Sequence, residues 1–183
     1  PCQSSAASDV YKRQYSAQVK SLSFIAPAGF GKVQTSIPFF MKIPGVIEWA
    51  MHVLADRFYG SAISSETAHS NDPLSINEEE FQQLFSFQMQ FKGFRESLAS
   101  TMRNFNLFDA REMFEKVAAK NIPSIAIWGD NDGIVSYKGA ETYSEIFHEG
   151  KVITIEDGTH DITYRQPSDV LEAIKIFLAS QIS

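Results

Sequence analysis

Between Pro123 and Gly129 the chain runs Ser-Ile-Ala-Ile-Trp, then turns abruptly into Asp130-Asn131-Asp132. Four consecutive apolar residues, β-branched or aromatic save one, are too few for a helix and show no alternation. That pattern is a strand buried on both faces, as in a parallel sheet with helices on either side. The carboxyl end of such a strand is where open α/β sheets bind their ligands, and Asp132 sits there. A second short run, Val152-Ile153-Thr154-Ile155, ends in Glu156-Asp157-Gly158-Thr159-His160. The stretch from Asp132 to His160 is long enough for one helix between two parallel strands. The two side chains should therefore emerge next to each other.

Trp128-Gly129-x-x-Asp132, Gly158-Thr159-His160 and Pro167-x-x-Val170 together resemble the closing half of an α/β-hydrolase. In that family the aspartate after the seventh strand orients the histidine after the eighth. The histidine is the base for a nucleophile on an earlier, sharp strand-to-helix turn. The resemblance thus implies Asp132 and His160 as catalytic residues. It also implies a nucleophile N-terminal to both, yet no Gly-x-Ser-x-Gly occurs, and none is assigned in this chain. Two positions depart from the family pattern: Thr159 stands where a glycine usually precedes the histidine, and Arg165 where a glutamate is common. The fold expected is α/β, a truncated α/β-hydrolase of about three parallel strands, the sixth to eighth of the family sheet, with flanking helices and a helical cap insertion.

The first residues read differently. Residues 1–14 have no initiating Met, no apolar periodicity and no apolar core of a signal peptide. Ser4 to Gln14 resembles the in-frame translation of a transposase-end adapter used in preparing DNA libraries, the alternative being a disordered native linker. The expectation is a non-native leader over 1–14, with the native N-terminus and any targeting signal upstream of what is seen.

From there, residues 15–36 and 109–183 are expected to form the partial hydrolase core and 37–108 the cap. Val19 to Ala26 reads as a strand that ends in the breaker cluster Pro27-Ala28-Gly29-Phe30-Gly31. Gly29-Phe30-Gly31-Lys32 fails as a phosphate loop, because Ala26 and Val33 occupy positions that need Gly and Ser or Thr. Ile43 to Tyr59 has helical spacing, Pro44 near its start and Gly60 beyond its end. Asn77 with Glu80 forms a capping box, and Glu78 to Glu80 complement the helix dipole. Phe81, Leu84, Phe85, Phe91, Phe94, Leu98 and Met102 then fall on one stripe, with Gly93 as a break or close contact. Asp109 with Glu112 predicts a further capped helix to Lys120. Ser136 predicts a cap for a helix ending at Gly150, and Pro167 opens a terminal helix whose Val170, Leu171, Ile174, Phe177 and Leu178 face the sheet.

Composition removes other functions. A net charge of −6 and no basic run leave no surface for nucleic acid. No apolar stretch approaches the ~20 residues of a membrane span. Cys2 is the single cysteine, so disulfides and cysteine-based zinc sites within the chain are excluded. Asp130, Asp132 and Asp157 are a poor metal set, because His52, His69 and His148 are scattered and form no i, i+4 pair. No cofactor is expected, the oligomeric state is left open, and the cytoplasm is favoured over secretion.

Asp130 competes with Asp132 for the acidic role and is read as satisfying turn amides, while Asp157 and Asp161 are read as solvated loop charges. Many of the 15 phenylalanines fall in the cap. Phe39, Phe40, Met41, Phe87 and Met89 are candidates to line an apolar acyl or aryl pocket. The expected partner is a small apolar ester, cleaved in the parent protein by Ser-His-Asp acyl transfer, with this chain inactive by itself. Alternatives of the same fold are an epoxide hydrolase, a dehalogenase or a carbon-carbon hydrolase, though Asp161 stands where ring-cleavage hydrolases carry tryptophan. A noncatalytic binding fragment is the remaining reading.

Overall fold

A computed structural model describes residues 19–31, 71–104 and 109–181, with Ile43, Gly45, Val46 and Trp49 as isolated positions. Its centre is the apolar run. Strand β2 (Ser124–Gly129) is buried at every position, with β1 (Leu22–Ile25) on one side and β3 (Lys151–Ile155) on the other, both parallel to it. Among the described residues the sheet thus has the expected three strands.

Alternation along β2 divides the core in two, because successive side chains of a strand point to opposite faces. Ala126 and Trp128 join Leu22, Phe24, Phe30, Phe114, Tyr143 and Phe147 on one face. Ile125 and Ile127 join Ile155, Ile162, Val170 and Phe177 on the other. The first face is aromatic: Phe30 stacks on Phe114 at 3.9 Å between centroids, Tyr143 stacks on Phe147 at 4.9 Å, and Phe24 meets Phe114 edge-on at 5.9 Å. The Tyr143 hydroxyl is 2.8 Å from that of Ser124. Burial pushes the Tyr143 phenol up to about 12, the Ser124 hydrogen bond opposing the shift.

The helices follow in chain order. α1 (Glu78–Met89) begins with the predicted capping box, in which Asn77 Oδ1 accepts from Glu80 N and Glu80 Oε2 accepts from Asn77 N. It ends before Gly93, whose φ of +87° no helix tolerates, and α2 (Phe94–Asn104) starts afresh. Of the predicted stripe, Leu84 and Phe91 are exposed. The helix predicted over Ile43 to Tyr59 lies largely outside the described residues, as do Phe39, Phe40, Met41, His52 and His69.

Two expected helix starts are displaced. Asp109 makes no capping box: α3 (Arg111–Ala118) has no side-chain cap, and Asp109 Oδ1 instead accepts from Arg111 N at 3.1 Å. Phe30 and Asp109 pair as an isolated antiparallel bridge, and Ala110 N donates to Gly29 O, so this backbone is held outside the helix. Ser136 is likewise no cap, because a turn separates it from α4 (Gly139–Ile146), which stops before Gly150. The short α5 (Ile162–Arg165) and the longer α6 (Pro167–Ser180) complete the chain, α6 with Pro167 in its first turn. Val170, Ala173 and Phe177 of α6 are buried, whereas Leu171 and Leu178 are exposed.

Candidate active site

The loops leaving β2 and β3 at their carboxyl ends lie against each other with no side chain between them. A Cβ on Gly129 would collide with the Gly158 carbonyl, and one on Gly158 would sit 2.8 Å from Gly129 Cα. Only glycine at both places allows that approach. Asp130 N then donates to Ile155 O at 3.2 Å and Asn131 N to Gly158 O at 3.0 Å. These bonds fix the origin of one loop relative to the other.

Asp132 and His160 are brought together by that arrangement. His160 Nδ1 lies 3.0 Å from Asp132 Oδ2; the aspartate side chain is fully buried and the histidine side chain 34% exposed. The second carboxylate oxygen, Oδ1, accepts from Ile134 N at 2.9 Å and Val135 N at 2.7 Å. A buried carboxylate is unfavourable unless its lone pairs are taken up, and here two amides and an imidazole take them. An ionised carboxylate accepts only, so the facing Nδ1 carries the proton and the ring's basic lone pair is directed to Nε2. Trp128 supports the loop from below, its Nε1 donating to Val135 O at 3.0 Å while the indole is wholly buried.

Of the competing acids, Asp130 is exposed at the turn. The turn amides of Ile134 and Val135 are bound by Asp132. Asp157 is exposed as anticipated, with φ of +53°. Asp161, however, is no solvated loop charge: Oδ2 accepts from Arg165 Nε at 2.9 Å, and Oδ1 accepts the Thr159 hydroxyl. No group of three or more His, Cys, Asp or Glu side chains is placed to hold a metal ion among the described residues. No helix among them is long and apolar enough to cross a membrane. Of the acyl-pocket candidates that can be placed, Phe87 is exposed and Met89 half-buried.

No family model matches the chain, and no curated protein sequence does. Solved structures match it over nearly its whole length. A bromoperoxidase from Bacillus anthracis superposes with a TM-score of 0.64 at 19% identity, over 95% of this chain and 63% of its own. A thermophilic esterase from Thermogutta terrifontis gives 0.64 at 16% identity, over 97% and 62%. A hydrolase from Oleispira antarctica gives 0.63 at 12%, over 96% and 62%. The chain has the α/β-hydrolase fold. It spans less than two thirds of each of these structures.

Within the hydrolase fold, the two departures from the usual pattern acquire physical content. Thr159, in the glycine position, is buried and donates its hydroxyl to Asp161. Arg165, in the glutamate position, is the partner of that same aspartate. In the sequence the two residues stand out as separate anomalies, with nothing to connect them. The available signal was the i, i+4 spacing of Asp161 and Arg165, which places opposite charges on one helical face.

Proposed function

We propose that this chain carries the acid and base of an acyl-transfer site that hydrolyses a small apolar carboxylic ester, with His160 as general base and Asp132 as its orienter. The observation that carries the reading is the 3.0 Å contact between His160 Nδ1 and a fully buried Asp132 carboxylate. Such a carboxylate holds the ring in one tautomer and orientation. It also stabilises the imidazolium formed when Nε2 takes the nucleophile's proton, and the imidazolium then returns that proton to the leaving alcohol. Two solved structures of the same fold are described as an esterase and as carboxylesterases, which supports ester cleavage over the epoxide, dehalogenase and carbon-carbon alternatives.

The nucleophile and oxyanion-binding amides would come from residues other than these 183, because no Gly-x-Ser-x-Gly occurs among them. Loss of a triad nucleophile lowers turnover about a million-fold in a serine protease. The chain alone should therefore leave p-nitrophenyl acetate and butyrate untouched. Extension by its upstream coding sequence should restore hydrolysis, and H160Q in the extended protein should remove at least about a thousand-fold of it. Turnover by the 183-residue chain that H160Q abolishes would refute the external nucleophile. An upstream sequence without a nucleophile elbow would refute the hydrolase reading itself.

A further inference from the structure

Arg165 is 8% exposed and is the buried basic side chain among the described residues. A guanidinium keeps its charge at any ordinary pH, so burying it demands a carboxylate and further acceptors. Asp161 supplies the carboxylate at 2.9 Å from Nε, and Ile76 O accepts from Nη1 at 3.4 Å. These two acceptors belong to different parts of the fold.

Asp161 follows His160 directly, and its Oδ1 accepts the hydroxyl of Thr159, which precedes it. The carboxylate of one chain neighbour of the histidine therefore holds the hydroxyl of the other, and Arg165 holds the carboxylate. Ile76, by contrast, lies in the segment 71–77 that leads into α1. That segment is strapped to the same corner: Ile76 N donates to Tyr164 O at 3.1 Å, while the two oxygens of Asp72 accept from Ser168 N at 2.7 Å and Ser168 Oγ at 2.8 Å. Phe81 of α1 packs edge-on against Tyr164 at 4.9 Å.

We infer that Arg165 is a positioning residue for His160, fixing the histidine's backbone through Asp161 and Thr159 and, through Ile76, registering the segment that leads into α1 to the same loop. A planar fork with several donors serves both acceptors at once, whereas an ammonium is a single point of charge. The inference rests on the reading of His160 as the base. Its measurement does not, because the readout requires no turnover.

The experiment uses the 183-residue chain labelled with 15N-histidine, the His160 signal being picked out of the four histidines with H160Q. Ring titration reports on His160, and hydrogen exchange of the Ile76 amide reports on the strap. T159V should move the His160 midpoint by roughly a few tenths of a pH unit and leave Ile76 protected. S168A should do the reverse, speeding Ile76 exchange about tenfold. R165M should move both, and R165K, which keeps the charge and loses the fork, should restore part of the ring titration while Ile76 stays fast.

A folded R165K chain with titration and exchange indistinguishable from the unsubstituted protein would overturn the inference, as would T159V with an unmoved ring. Should R165M fail to fold, R165K and T159V decide alone. If these variants shift His160 while the extended protein shows no ester hydrolysis, the positioning role stands and the catalytic reading falls. Hydrolysis lost on H160Q, with no response of the ring to R165K or T159V, means the reverse: His160 is the base and Arg165 does not position it.

Discussion

The sheet region and the α1–α2 segment contain similar side chains and treat them differently. Around β2, phenylalanines interlock with Trp128 and Tyr143 and are almost without exposure; Phe30 and Phe114 are each 1% exposed. On α1 and beyond it, Phe87 and Phe91 touch edge-on at 5.1 Å, yet both are more than half exposed. Neither hydrophobicity nor spacing distinguishes the two sets. What distinguishes them among the described residues is the opposing layer: β2 has a strand on each side and helices on both faces. An apolar stripe is thus evidence of a face, and burial depends on what the rest of the fold brings to it.

The sharpest way to break the comparison is the same substitution in both regions. Phe114→Ala should cost about 3–5 kcal/mol in urea unfolding, since the stacked Phe30 loses its partner and a cavity remains. Phe87→Ala should cost under about 1 kcal/mol. Equal losses would mean that α1 is packed as tightly as the sheet. Glycine gives the next contrast. Gly129→Ala forces the β2 and β3 loops apart and should cost about 3 kcal/mol, together with loss of the His160 to Asp132 hydrogen bond seen by NMR. Gly93→Ala meets no neighbour within 4 Å and suffers only its positive φ, at about 1–2 kcal/mol.

Titration sharpens the contrast further. Tyr143 has a folded value of about 12 against 10 for the free phenol. Its contribution is complete below pH 10 and is lost as pH rises towards 12, on the order of 2 kcal/mol across that window. Tyr143→Phe should flatten this alkaline limb. The smallest effect belongs to the strap. Asp72 feels desolvation that would raise its value, but hydrogen bonds from Leu74 and Ser168 outweigh it and hold the carboxyl below 3.8. The strap's contribution is therefore present above that pH and fades as acid carries the group through its lowered value. Ile76 exchange should accelerate there before the sheet amides respond.

Legibility in the sequence follows the same division. β2, β3, the convergence of Asp132 with His160 and the Asn77 cap were readable, because each rests on residues adjacent in the chain or on one strand–helix–strand unit, whereas the sequence left Gly93 between a break and a close contact. Failures came where distant backbone intervened or where a local partner was passed over. Asp109 had the composition of a cap, but pairing with Phe30 claimed its backbone. Asp161 had the look of a solvated loop acid until Arg165 and Thr159 folded onto it. The Gly129–Gly158 contact was invisible for the same reason, since a missing side chain leaves a signal only once its neighbour is known.

The bond from Trp128 Nε1 to Val135 O has an optical consequence. The chain has two tryptophans; Trp128 is wholly enclosed beneath the aspartate loop, and Trp49 is 62% exposed. Iodide should therefore quench the second indole and leave the first unquenched. The unquenched, blue-shifted part of the emission is thus an intrinsic gauge of whether the acid's loop is seated, readable in any variant without a label.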